Sequence, residues 1–210
     1  MRILVIGGTR GTGREVVKQA LERGHQVVAL ARKPSNVKIQ DARLRVAEGD
    51  VMKPESLDAA MANVDAVVCA LGHKRWLGPS NTLSEGTRNI IRAMERHGVK
   101  RLVVVTSLGV GDSFGRLGLV FTLFTMPVIL PFYFFDKGRQ ERVVRESALE
   151  WVIVRPGQLI NGHKRGRYRH GPRVGNYLWG AIIKRADVAD FMLNQLGETP
   201  YLRQAPGVGY

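Results

Sequence analysis

The sequence predicts an α/β fold, a three-layer α/β/α sandwich in which a doubly wound parallel sheet lies between two layers of helices. Short apolar runs rich in β-branched residues alternate with segments whose apolar residues recur at helical spacing. The runs are apolar on both faces, which is typical of a parallel sheet covered on both sides. The length of 210 residues suits one domain over 1–210, without internal repeats or low-complexity linkers.

Individual residues set the bounds of the predicted elements. Pro54 suits the first turn of a helix, and Asp187 is a candidate N-cap. Gly24 and Gly98 end two helices. The predicted strands are Arg2–Ile6, Gln26–Ala31, Leu44–Ala47, Val64–Leu71, Arg101–Thr106 and Glu150–Arg155. The predicted helices lie around 16–21 and over Pro54–Met61, Leu83–Met94, Arg139–Ser147 and Asp187–Leu196. The remaining region, 156–180, is rich in Gly and Arg and is predicted to form a loop beside the substrate site.

The chain is strongly basic. Lys and Arg number 32 against 18 Asp and Glu, and the net charge of +14 favours anionic partners. The single cysteine, Cys69, cannot form an internal disulfide and is expected to be a buried thiol. The start of the chain does not read as a secretory signal, so we expect a reducing, cytoplasmic location. No His spacing indicates a metal site.

A glycine cluster, Gly7 to Gly13, follows the first predicted strand and opens the first helix. Glycines in this context let the backbone approach a pyrophosphate, and the helix N-terminus supplies amide donors. The alternative is a tight turn without a ligand. The residues expected to contact the cofactor here are Gly7, Thr9, Arg10, Gly11, Thr12 and Gly13.

The second predicted strand leads into Arg32 and Lys33, where an NAD-selective site usually has a carboxylate. A carboxylate would repel a 2′-phosphate, whereas a guanidinium can pair with it in a bidentate way. We therefore expect NADP(H) rather than NAD(H), with Arg10 also close to the cofactor. The alternative is that Arg32 and Lys33 are solvated loop charges.

Together these motifs resemble the short-chain dehydrogenase/reductase superfamily. The resemblance is to its atypical branch, which contains flavin reductase/biliverdin-IXβ reductase and the NmrA-like proteins. Further matching segments are Gly49–Val51, Ala70–Gly72, Ser84–Ile90, Thr106–Ser107, Val144–Ser147 and Arg155–Gly157. The resemblance implies a Rossmann fold and a bound nicotinamide dinucleotide. It also implies cofactor contacts from Asp50, Val51, Ala70, Leu71, Gly72, Thr106, Pro156 and Gly157.

The superfamily's usual catalytic set is Ser, Tyr and Lys, and the resemblance implies Ser107, Tyr133 and Lys137 as its counterparts. Tyr133 and Lys137 are four residues apart, so on a helix they share a face. Lys137 would lower the phenol pKa and hold the ribose, Tyr133 would donate a proton, and Ser107 would polarise the acceptor oxygen. The alternative for Tyr133 is a role in aromatic packing.

Three further segments have unusual composition. Residues 117–135 carry no charge over nineteen residues, but Pro127 and Pro131 interrupt them. We expect a buried helix on the domain or at a dimer interface, or instead a lid over an apolar substrate or a patch that dips into a membrane surface. Residues 163–173 and Lys74–Arg75 are basic. They would either clamp an anionic substrate or cofactor phosphates, or form solvated loops.

These features predict an NADPH-dependent oxidoreductase that transfers hydride to a conjugated or carbonyl acceptor: a flavin, tetrapyrrole, quinone or carbonyl compound. A non-catalytic NADP(H)-binding redox sensor is the alternative. Nucleic acid is not an expected partner, because no known binding module accompanies the basic charge. The expected partner is a small apolar or anionic substrate, and the chain is expected to be a monomer or a homodimer.

Overall fold

The computed structural model describes residues 1–72 and 78–210. Within these residues the helices are α1 Gly11–Glu22, α2 Glu55–Met61, α3 Thr82–Arg96, α4 Pro131–Arg145 and α5 Arg185–Asn194. The strands are β1 Arg2–Ile6, β2 Gln26–Ala31, β3 Leu44–Glu48, β4 Ala66–Cys69, β5 Arg101–Val105, β6 Glu150–Pro156, β7 Gln158–Ile160, β8 Arg169–Gly171, β9 Ile182–Lys184 and β10 Gly207–Gly209.

The main sheet has eight strands in the order β3-β2-β1-β4-β5-β6-β10-β8. All its neighbouring pairs are parallel except β10 with β8. The predicted parallel α/β sheet is therefore confirmed. The direction of strand order reverses between β1 and β4, and ligands of such sheets bind outside the carboxyl ends of the strands at that point.

Each face of the main sheet carries its own apolar core. Ile3 and Val5 point to the face covered by α1 and α5. Leu4 and Ile6 point to the opposite face, which α2, α3 and α4 cover. All four side chains are almost fully buried, as the apolar composition of both faces of the strand predicts.

Three of the predictions that differ from the structure concern α4, region 156–180 and Asp187. Helix α4 begins at Pro131 rather than at Arg139, because proline fits the first helical turn and the aromatic run after it continues the helix. Region 156–180 contains the short strands β7 and β8 rather than loop alone. Asp187 lies inside the first turn of α5 and is not its N-cap. Its carboxylate accepts hydrogen bonds from the backbone N–H groups of Arg165 and Gly166 instead.

The apolar segment forms a π-helix over Phe121–Ile129 that leads into α4. Only Thr122 and Met126 of this π-helix are buried, so the expectation of a buried helix on the domain is wrong for most of its side chains. Pro127 lies within it and cannot donate a backbone hydrogen bond. Among the described residues, no helix is both long and apolar enough to cross a membrane.

A buried charge pair connects α4 to the sheet. The Arg155 guanidinium donates to the Glu141 carboxylate at 2.9 and 2.6 Å, and both side chains are nearly inaccessible to solvent. The Thr106 hydroxyl donates to the same carboxylate at 2.7 Å. The exposed carboxylate of Asp112 lies 2.8 Å from the Arg155 guanidinium. Buried charges are tolerated when they are paired and hydrogen-bonded in this way.

Candidate functional site

The glycine loop lies at the carboxyl edge of β1, against the end of β4. Gly7 has a φ of +84°, and a Cβ at this position would lie 2.5 Å from the Ala70 carbonyl oxygen. A Cβ on Gly13 would lie 2.1 Å from the Gly7 carbonyl oxygen. Both positions therefore require glycine, and the loop brings bare backbone to the edge of the sheet. This arrangement fits the pyrophosphate of a dinucleotide.

Helix α1 begins in this loop, and no acidic side chain of its first turn would compete with an anionic ligand for the amide groups there. Arg10 occupies its N-cap position, makes no side-chain capping bond and is exposed to solvent. The first turn of α1 contains no acidic residue. The amide groups at this helix end are therefore available for an anionic ligand. Arg32 and Lys33, which follow β2, are also exposed.

The structure adds Arg185, which sequence reasoning missed. Its Nε atom lies 3.5 Å from the position that a Cβ on Gly11 would take. The guanidinium is held by the carbonyl oxygen of Leu159 at 3.3 Å and by Asn161 Oδ1 at 2.8 Å. Because Arg185 opens α5 far along the chain, no sequence spacing connects it with the loop.

The turn after β3 packs against α3. Val51 is buried, its carbonyl oxygen accepts a hydrogen bond from Asn89 Nδ2 at 2.9 Å, and Gly86 leaves room for its side chain. Asp50 is half-buried, and its carboxylate accepts a hydrogen bond from the backbone N–H of Met52 at 3.0 Å. The carboxylate thus orders its own turn.

Two of the three predicted catalytic residues come together under the ends of β4 and β5. Lys137 is 1% exposed, and its Nζ donates to the carbonyl oxygens of Leu71 at 3.2 Å and Val105 at 3.0 Å. A third bond goes to Gln140 Oε1 at 2.9 Å. Nζ lies 5.8 Å from the centre of the Tyr133 ring. Ser107, half-buried, is the second residue after β5.

The electrostatics of this pair differ from the expectation. Burial lowers the pKa of Lys137 to about 8. Burial and the nearby Asp136 charge raise the pKa of Tyr133 to about 12. The shift of the Tyr133 pKa is therefore opposite in direction to the lowering expected from Lys137, because desolvation of the phenolate is its largest cause. With three acceptors inside the protein, Lys137 is placed to bind backbone rather than a ribose.

The remaining predicted site residues line the same edge. The Pro156 carbonyl oxygen accepts a hydrogen bond from the backbone N–H of Leu108 at 2.9 Å, and a Cβ on Gly157 would lie 2.3 Å from the Ala181 carbonyl oxygen. Ala70, Leu71 and Gly72 follow β4, whereas the Thr106 hydroxyl points to Glu141. The prediction for Cys69 is confirmed: it is fully buried, and burial raises its thiol pKa.

Acidic residues of α5 hold part of the basic run 163–173. Lys164 pairs with Asp190 at 3.1 Å, and the Arg165 backbone bonds Asp187 at 2.9 Å. Part of this run is therefore structural. The predicted Lys74–Arg75 pair lies outside the described residues.

The fold, together with the glycine loop at the carboxyl edge of the sheet, defines a Rossmann-type protein suited to bind a dinucleotide. The sequence model of the NAD(P)H-binding family matches residues 7–199. The chain therefore belongs to the NAD(P)H-binding family and binds this cofactor, and the predicted resemblance is confirmed.

Three relatives illustrate the family's range. The photosystem II assembly factor Ycf39 of Synechocystis is 36% identical over 113 residues, which are 51% of this chain and 34% of that protein. The NAD(P)H azoreductase of Xenophilus azovorans is 30% identical over 74% of this chain and 47% of its own length. This chain thus spans between a third and half of these two relatives. The protein YwnB of Bacillus subtilis is 28% identical over 93% of this chain and 92% of its own.

Solved structures share the fold. A short-chain dehydrogenase/reductase from Veillonella parvula in complex with NADP has a TM-score of 0.83 at 22% identity, covering 100% of this chain and 94% of that one. The anaerobillin reductase ChuY from Escherichia coli has a TM-score of 0.79 at 23% identity, covering 99% and 96%. The chain is thus a member of the NAD(P)H-binding family, and its fold is that of these solved structures.

A first prediction concerns the glycine loop. Gly13→Ala places a methyl group into the Gly7 backbone, so we expect a loss of unfolding free energy of about 2 kcal/mol and NADPH binding weakened more than about tenfold. The matched control is Gly138→Ala in α4, where a Cβ meets nothing within 4 Å. This control should gain about 0.5–1 kcal/mol and bind NADPH normally. Urea unfolding and calorimetric titration measure both quantities, and equal behaviour of the two variants would contradict the prediction.

A second prediction concerns pH. Between about pH 8 and 10.5 the unfolded chain keeps the Lys137 proton and the folded chain releases it, so the wild type gains stability as pH rises. Relative to Lys137→Met, the wild type should gain about 2 kcal/mol from about pH 7 to about pH 9.5. Denaturant unfolding of both proteins at each pH tests this. A constant difference between them would show that Lys137 keeps an ordinary pKa in the fold.

Proposed function

We propose that this protein is an NADPH-dependent oxidoreductase that passes hydride to a conjugated or carbonyl acceptor of flavin, tetrapyrrole, quinone or carbonyl type. The observation that carries the proposal is the meeting of the glycine loop with the ends of β4 and β5, beside which Lys137 and Tyr133 lie. The names of two similar proteins, an azoreductase and an anaerobillin reductase, support a reductase.

The choice of NADPH rests on the cations around the loop. Three exposed cations lie in the loops that follow the first two strands: Arg10 after β1, and Arg32 and Lys33 after β2. A guanidinium pairs with a 2′-phosphate in a bidentate way. Arg185 adds a fourth cation beside Gly11, which supports a role in holding the pyrophosphate.

The chemistry assigns separate tasks to the residues. The dinucleotide supplies the hydride when it is bound. Ser107 polarises the acceptor oxygen, and Tyr133 is the proton donor, although its raised pKa makes it a weaker acid than an ordinary phenol. Lys137 is a positioning residue, because it fixes the backbone at the ends of β4 and β5.

A non-catalytic redox sensor is the second candidate, and one observation favours it. Lys137 gives all three of its hydrogen bonds to Leu71, Val105 and Gln140, so the usual Tyr–Lys pairing with a cofactor ribose is not available. A sensor needs a bound dinucleotide and a partner but no proton donor.

The cofactor preference is tested by replacing Arg32. Arg32→Ala should raise the Kd for NADPH about tenfold or more, because a charge-assisted bond to the 2′-phosphate is lost. The Kd for NADH should change less than about threefold. Arg92→Ala, an exposed arginine on α3, is the control. Calorimetric titration of both nucleotides measures the two Kd values. An equal rise in both would show that Arg32 acts through the overall positive charge of the protein rather than on the 2′-phosphate.

Turnover is tested with a panel of flavin, quinone, tetrapyrrole and carbonyl acceptors, with NADPH oxidation followed by absorbance. Ser107→Ala should lower kcat/KM about a hundredfold and leave the Kd for NADPH unchanged. Ser147→Ala, beyond the distant end of α4, is the control. Tight NADPH binding without turnover of any acceptor would contradict the proposed reductase and favour the redox sensor.

A further inference from the structure

An exposed apolar patch lies beside the site. Most of the large apolar side chains that are more than half exposed come from two segments, 119–135 and 177–179, which we call the apolar patch. Trp179 is 78% exposed and Leu178 is 71% exposed. Tyr177, Leu123, Phe124 and Val120 are exposed to a similar degree. Clustered exposure of this kind is uncommon on a monomeric surface and marks an interaction site.

The two segments form one ordered surface. Cβ atoms on Gly115 and Gly118 would lie 2.7 Å from the Tyr177 ring and 2.6 Å from the Gly180 nitrogen, so the segments touch. Asn176 Oδ1 accepts hydrogen bonds from the backbone N–H groups of Leu178, at 2.9 Å, and Trp179. The turn therefore holds the apolar side chains outward.

The underside of the patch joins the site. A small buried cluster of Leu108, Leu117, Val174 and Ala181 lies beneath it, with Phe121 and Phe134 packed against the cluster. Leu108 directly follows Ser107. The patch therefore marks the side of the molecule that carries Ser107.

The two stretches of chain that carry the patch contain basic residues and no acidic ones. Residues 113–135 and 151–186 contain no Asp or Glu. Arg116 and Arg173 lie in the chain beside the two segments, and the guanidinium of Arg139 lies 4.4 Å from the centre of the Phe135 ring. A basic surface without acidic residues complements an anionic one.

We propose that the apolar patch docks on the surface of an anionic lipid membrane. Apolar insertion and basic attraction reinforce each other at such a surface, and exposed Trp and Tyr side chains are typical of the interface. A second copy of the chain fits less well, because two molecules that each carry +14 repel one another. In this arrangement the patch enters only the surface layer of the membrane and does not span the bilayer.

The experiment uses the full chain and vesicles of phosphatidylcholine with and without phosphatidylglycerol. The wild type should sediment with the anionic vesicles and less with the neutral ones, and salt should weaken binding. Leu178→Ser and, independently, Leu123→Ser should each lower the partition coefficient about tenfold. Leu202→Ser is the matched control, because Leu202 is 44% exposed and lies far from the patch. The backbone N–H of its neighbour Arg203 donates to the carbonyl oxygen of Trp151 at the start of β6, at the edge of the sheet opposite the site.

Each outcome decides the proposal. Equal binding of Leu178→Ser, Leu123→Ser and Leu202→Ser would show adsorption by charge alone and would overturn it. A wild-type dimer in sedimentation equilibrium without vesicles, which Leu178→Ser converts to a monomer, would assign the patch to a second copy and overturn it as well. NADPH titration of each variant shows that its fold is intact, independently of turnover.

Discussion

The desolvation of charge under the carboxyl edge of the sheet is the constraint on which the rest of the structure depends. A buried guanidinium and a buried carboxylate must be paired, and Arg155 and Glu141 satisfy each other between β6 and α4. Lys137, one helical turn before Glu141, spreads its donors over the carbonyl oxygens of Leu71 and Val105. Helix α4 thereby fixes the ends of β4, β5 and β6 relative to one another, and a change in any of these groups would shift the edge where the cofactor is bound.

The site follows from this framework together with the lack of side chains in the glycine loop. The loop can approach β4 only because Gly7 and Gly13 have no Cβ. The cation Arg32 follows β2 and Arg185 opens α5, and the two fit an elongated anion with more than one phosphate. A high net charge also raises the local concentration of such a ligand before contact. The apolar patch adds a second surface on the Ser107 side, next to the site.

Much of the framework could be predicted because its signals are local. The runs at β1, β2, β5 and β6 are continuous and apolar, and the glycine loop stands between a strand and a helix. Strand β10, Gly207–Gly209, could not be found this way, since it is short and two of its three residues are glycine. The role of Arg185 depends on the packing of α5 beside α1, and that of Asp187 on the loop folded over it. The pKa shift of Tyr133 depends on burial, which spacing alone does not reveal.

The cofactor edge is built from segments that span most of the chain, from Gly7 to Gly157, and only the completed sheet contains it. A ligand that binds this edge therefore favours the native state over every partly folded one. By mass action, nucleotide at a hundred times its Kd would add about 2.7 kcal/mol to the folding equilibrium. Saturation with nucleotide should therefore protect the chain from proteases, which cleave opened states.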